Sequence, residues 1–143
     1  MEKLISQLKI TQATLFSFML KSWRFHWNVT GPHFSEYHEF FGELYESSAA
    51  SVDKVSEHIR ICQAMAPGAL SKFMEASKIT DNITDTTTPG MLKELLADNA
   101  KVMEELTKAR ALAEANGKIG VQNDLEDLIS QYDKQAWMLR SFS

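Results

Sequence analysis

From residue 3 to about residue 28, apolar side chains recur at mostly helical spacing, with Leu4, Leu8, Leu15, Met19 and Trp23 marking the row. Asn28-Val29-Thr30-Gly31-Pro32 then interrupts the pattern with turn chemistry. A second amphipathic stretch is predicted from about Ser35 to Met65. Its stripe is Tyr37, Phe41, Leu44, Val52, Val55, Ile59 and Cys62, spaced by threes and fours except for a gap at Ser48. Ala66-Pro67-Gly68 stops it, Ser71 to Lys78 leaves room for two short turns, and Ile79 to Thr87 reads as loop. Thr88 as N-cap with Pro89 at the first helical position opens a third helix through Leu92, Leu95, Leu96, Val102, Met103 and Leu106. Asn116-Gly117 supplies its C-cap signal. The last helix carries Leu125, Leu128, Ile129, Tyr132, Ala136 and Leu139.

Two of the three connections between these long helices are short, and short connections make antiparallel neighbours. The remaining one, roughly 24 residues between the second and third helices, can run the length of a helix that rises ~1.5 Å per residue. The expected architecture is all-α, one domain over residues 1–143: a four-helix bundle whose long crossover carries a short helix.

Composition narrows the class without changing this picture. Hydrophobic residues are 44% and charged residues 24% of the 143, the balance of an ordinary globular chain. A net charge of -4 gives no overall attraction to nucleic acid or to an anionic membrane. No apolar run approaches the ~18 residues needed to span a bilayer. The N-terminus lacks the order of a secretion signal. The single cysteine, Cys62, can form no disulfide within the chain. A cytoplasmic location is expected.

Four residues carry candidate chemistry: His26, His38, Asp53 and Glu57. His26 and His38 flank the Gly31-Pro32 turn, so an antiparallel hairpin can bring them together. Asp53 and Glu57 stand one helical turn apart on one face, able to grip one ion. His38 and Asp53 lie fifteen positions apart on one helix, about 22 Å along its axis. No metal can touch both within one chain, so a site using all four must be shared by two subunits across a twofold axis. Gly42, Ala49 and Ser56, seven apart, form a strip of small residues that would admit a neighbouring helix. Taken singly, a helical histidine is most often structural, and an exposed acidic pair is most often solvated.

The run Phe25-His26-Trp27-Asn28-Val29-Thr30-Gly31-Pro32-His33-Phe34, followed by His38-Glu39 and by Asp53 with Glu57-His58-Ile59-Arg60, resembles the signature of the Dps family. Trp137-Met138-Leu139-Arg140 resembles that family's last helix. The resemblance implies a ferritin-like fold and a dodecameric shell built from twofold dimers. It implies that iron, Fe(II), is oxidised at shared sites, with hydrogen peroxide the preferred oxidant, and stored as ferric mineral. His26 and His38 would come from one subunit and Asp53 and Glu57 from its partner, with Trp27 beside them. Asp124 and Asp127 resemble the family's acidic pore.

Two departures stand out. The family's usual aspartate four residues after the second histidine is Gly42 here. This puts a second iron position in doubt, with His33 in the turn as a candidate substitute. The chain also shows no lysine-rich tail, so direct DNA binding is not expected. The rival functions are a DNA-binding nucleoid-protection protein and a structural shell with impaired ferroxidase activity.

Overall fold

The computed structural model describes residues 1–82 and 87–142. Five helices occur among them: α1 (Glu2–Asn28), α2 (Phe34–Ile61), α3 (Leu70–Ala76), α4 (Thr88–Ala115) and α5 (Ile119–Ser141). The four long helices form the bundle, and α3 lies in the crossover against α1. This is the architecture the hydrophobic pattern predicts.

The helix ends follow local chemistry. Thr87, not Thr88, caps α4: its side chain accepts a hydrogen bond from the Gly90 N–H, and Pro89 follows in the first turn. Gly117, at φ 66°, terminates α4 with Gly117 N–H on the Glu114 carbonyl and Lys118 N–H on the Ala113 carbonyl. That is the paired bonding of a Schellman cap. α2 stops by the same device before the expected Ala66-Pro67-Gly68 breaker. Gln63 takes φ 65° and gives its N–H to the Arg60 carbonyl, while Ala64 reaches Ile59. The sequence carries no glycine signal at this stop, because the left-handed residue is a glutamine. Part of the Ile79–Thr87 loop, residues 83–86, lies outside the described residues.

Leu4, Leu8, Leu15, Phe18 and Phe25 of α1 meet Phe41, Leu44, Val55 and Ile59 of α2 in the core. Leu95, Val102 and Leu106 of α4 and Leu125, Tyr132 and Leu139 of α5 close it from the other side. Met19 and Trp23, expected in the α1 stripe, are displaced from it because the buried row continues through Phe18, Ser22 and Phe25. The gap at Ser48 is met by a side chain of α5. Tyr132, fully buried, donates its hydroxyl to Ser48 Oγ at 3.1 Å, with Ser51 Oγ at 3.3 Å, and burial pushes its phenol pKa up.

A buried cation ties the crossover to the bundle. Lys21, 2% exposed, places Nζ 2.6 Å from Asp98, 2.9 Å from Glu94 and 2.9 Å from the Thr80 carbonyl. All three ammonium hydrogens therefore have acceptors. No helix among the described residues is long and apolar enough to cross a membrane.

Candidate metal centre

Val29 closes α1 with an extended backbone, and Gly31 (φ 96°) with His33 (φ 63°) turns the chain sharply into α2. This hairpin brings His26 and His38 face to face, with ring centroids 3.8 Å apart and planes 16° from parallel. Each ring is anchored to the other's backbone: His26 Nδ1 lies 2.6 Å from the His38 carbonyl oxygen, and His38 Nδ1 lies 2.7 Å from that of His26. A carbonyl oxygen can only accept, so both Nδ1 atoms carry the proton. In the neutral rings both Nε2 atoms then hold the free lone pair, the form a metal requires.

Gly42 is buried directly beneath this pair. A Cβ at that position would lie 3.0 Å from His26 Nδ1 and 3.1 Å from its Cε1. Tyr45, one turn further along α2, presents its ring to the edge of His26 at 5.4 Å. Trp23 stacks on Tyr45 at 5.3 Å, and the exposed Trp27 leans on Trp23 at 4.7 Å. The sequence pattern had put Trp23 in the core and gave no role to Tyr45. Spacing could have found it, since Tyr45 follows His38 by seven positions and so shares its face.

Asp53 and Glu57 occupy a separate place along α2. Both are exposed, and among the described residues neither carboxylate takes part in an ion pair or side-chain hydrogen bond. Many other acidic side chains here are engaged; Glu94, Asp98, Glu105, Glu114 and Glu126 all pair with cations. Asp53 and Glu57 border a cleft of about 210 Å³ together with Lys54, His58, Ile61 and Asp124. Asp124 is thereby brought next to them, which its position in the sequence did not suggest. His58, buried, gives its Nε2–H to Asp124 Oδ2 at 2.8 Å, and Lys54 Nζ stands 3.5 Å from Oδ1. The His58 hydrogen bond, with Lys54 adding to it, holds the Asp124 carboxyl below the usual carboxylate range. Asp127 is exposed on the same helix.

Within one chain the four ligand candidates thus form two half-sets. Among the described residues no three His, Cys, Asp or Glu side chains converge to hold an ion. His33 is not near either half-set in hydrogen bonding; its ring faces Glu36 at the surface, 3.7 Å away. The expected small-residue strip is only partly free: Gly42 lies under His26, Ser56 accepts from Gln12 Nε2 at 2.8 Å, and Ala49 alone stays exposed. A larger apolar cavity of about 610 Å³, between the hairpin turn and α4, is lined by Pro32, Tyr37, Leu92 and Phe142 and holds neither half-set.

The donor set fits iron. Two imidazoles with free Nε2 atoms and two unengaged carboxylates are the nitrogen and hard-oxygen ligands that ferrous and ferric ions take.

The fold is that of a ferritin-like protein, and a family model of the ferritin-like domain matches residues 5–143. Among curated proteins, DNA protection during starvation protein 2 of Bacillus anthracis is 31% identical over 118 residues, 82% of this chain and 81% of that protein. The DNA protection during starvation protein of Helicobacter pylori is 30% identical over 138 residues, 94% of each. The crystal structure of Dps from Staphylococcus aureus matches with a TM-score of 0.94 at 25% identity, covering 99% of this chain and 95% of that one. Dps from Vibrio cholerae O1, described as one of the ferritin-like diiron-carboxylate proteins, matches at 0.94 and 23% identity, over 99% and 89%. This chain belongs to the Dps family of the ferritin-like superfamily.

Proposed function

We propose that this protein is a ferroxidase and iron-storage subunit that oxidises Fe(II) at sites shared between two copies. His26 and His38 of one subunit face Asp53 and Glu57 of its twofold partner. The observation that carries this reading is the mutual anchoring of the two histidines through Nδ1, which leaves the Nε2 lone pair of each neutral ring available to a ligand. The unpaired carboxylates on the same helix are the complementary half, held too far away to close the site alone.

Iron is the substrate. The imidazoles hold the ferrous ion, and the carboxylates, hard anionic donors, favour the ferric product and so draw the electron transfer forward. Hydrogen peroxide is the oxidant we propose. Two ferrous ions supply two electrons, the O–O bond breaks, and two protons complete two waters. Asp124 and Asp127 are the acidic groups we assign to the route inward. Asp124 borders the cleft of Asp53 and Glu57, so a cation drawn there has little further to travel. The shell is proposed as a cytoplasmic dodecamer of twofold dimers. Direct DNA binding is not proposed, since the net charge of -4 opposes it; tight gel retardation at low magnesium would contradict that.

The test is anaerobic Fe(II) titration of the purified assembly, followed by peroxide addition while ferric absorbance is recorded. Saturable binding and fast oxidation, both lost in the His26→Ala/Asp53→Ala variant, are expected. Equal behaviour of the two proteins would leave a structural shell as the better description.

A further inference from the structure

We propose that the N-terminus of α5 and the His58 ring form a binding site for inorganic phosphate, taken as hydrogenphosphate. The site goes beyond the iron chemistry above and does not depend on it.

A second cleft, of about 200 Å³, shares His58 and Ile61 with the one that Asp53 and Glu57 border. The rest of its lining is the turn out of α4 and the first turn of α5, residues 117–121. The first N–H groups of a helix have no acceptor within it. Here Lys118 N–H is used on the Ala113 carbonyl and Gln122 N–H on the Lys118 carbonyl, which leaves those of Ile119, Gly120 and Val121. No side chain caps them, and the first turn of α5 carries no acidic residue. With the helix dipole behind them they favour an anion. The backbone is open to one, since a Cβ at Gly117 or Gly120 would meet nothing within 4 Å. Among the described residues no carboxylate lines this cleft, and Lys118 adds a cation to it.

A helix N-terminus alone selects no ligand; His58 does. It is 6% exposed, and its Nδ1 is buried without a hydrogen-bond partner among the described residues. Nε2 carries the ring proton, because it faces the Asp124 carboxylate at 2.8 Å and a carboxylate only accepts. In the neutral ring Nδ1 is then an acceptor, and a buried acceptor is costly to leave unmet. The two nitrogens of an imidazole point in divergent directions, so Nδ1 is turned away from Asp124. The second cleft is the one that His58 lines and Asp124 does not.

The cleft therefore offers N–H donors, a cation and one acceptor. Its ligand must be an anion that still keeps a hydroxyl. Hydrogenphosphate meets both demands: its three other oxygens take the α5 N–H groups, and its O–H donates to Nδ1. Sulfate has no proton to give, and a phosphate monoester loses its last one at about pH 6. Bicarbonate keeps a hydroxyl but is one oxygen short of the three free N–H groups.

The experiment is titration calorimetry of the assembled protein at about pH 8 with inorganic phosphate, sulfate, bicarbonate and a phosphate monoester. Wild type, Gly120→Asp and His58→Leu are compared. Wild type is expected to take one phosphate per chain. Sulfate and the monoester should bind at least roughly tenfold more weakly, the effect of leaving a buried group unpaired, and bicarbonate should also be weaker. Gly120→Asp sets a carboxylate at the α5 N-terminus, where it suits the dipole and finds open space, so this protein should assemble but lose phosphate. His58→Leu should bind phosphate no better than sulfate, with sulfate itself little changed. That loss of preference, rather than of all anions, is the signature of Nδ1. The proposal is overturned by the absence of saturable phosphate binding, by any of the other three anions binding as tightly, or by either variant binding phosphate like wild type. Should His58→Leu fail to assemble, Gly120→Asp and the order of the anions decide the matter.

Discussion

His26 and His38 hold each other: each ring's Nδ1 hydrogen bonds to the other's backbone carbonyl, at 2.6 and 2.7 Å. Removing either histidine therefore disturbs the survivor as well as deleting a ligand. Anaerobic Fe(II) affinities of His26→Ala, His38→Ala and the double variant should be strongly non-additive, with the double variant little worse than the worse single one. Losses that simply add would show that the rings bind independently.

Lys21 is a buried cation shared by two carboxylates. Its replacement by methionine leaves Asp98, itself 3% exposed, with only the more distant Lys101, 3.8 Å away, as a cation partner. Breaking a buried pair from one side costs about 3–5 kcal/mol. Urea unfolding at fixed protein concentration should show that loss for Lys21→Met, and Lys21→Met/Asp98→Leu should recover much of it. A midpoint unchanged in the single variant would contradict the assignment.

Asp124 makes a pH-dependent contribution. Its folded carboxyl lies below the ordinary value because His58 donates to it and Lys54 stands near. A depressed carboxylate stabilises the fold above its unfolded pKa, and the contribution disappears as pH falls through the lower, folded value. Asp124→Asn should therefore melt at a lower temperature than wild type near neutrality, with the difference shrinking in acid below the usual carboxylate range. The group is about one-third exposed, so the effect is small. A gap that widens on acidification would reverse the sign and refute the pairing.

Much of this was legible in the chain. Apolar spacing gave four helices and the long crossover, because each bundle helix must bury one stripe and expose the rest. It also put His26 beside His38, since a short turn leaves a hairpin few alternatives. What stayed hidden depended on side chains meeting across helices. Tyr132 reaching Ser48 explains the gap in the α2 stripe, yet the partners are 84 positions apart. Lys21 reads as a surface residue until Glu94 and Asp98 of α4 are placed around it. Gly42 reads as a missing ligand, and only the folded chain shows the His26 ring packed over it.

The Tyr132 hydroxyl should matter for stability alone. Tyr132→Phe leaves the buried Ser48 hydroxyl without this partner and should cost about 1–3 kcal/mol, the penalty of an unsatisfied buried group. Tyr132→Phe/Ser48→Ala should recover part of it in chemical denaturation. Fe(II) oxidation rates of the folded variants should match wild type, and a selective loss of oxidation would place Tyr132 in the chemistry.

The central claim is that neither chain completes a site alone, and subunit mixing tests it most directly. One variant lacks the imidazoles (His26→Ala/His38→Ala), and the other lacks the carboxylates (Asp53→Ala/Glu57→Ala). Each should be inactive as a pure assembly. After dissociation and reassembly in equal amounts, half of the twofold dimers are mixed, and each mixed dimer regains one intact site of its two. Peroxide-driven Fe(II) oxidation should then return to about one quarter of the wild-type rate per chain. Mixed assemblies as inactive as the parents would contradict a shared site.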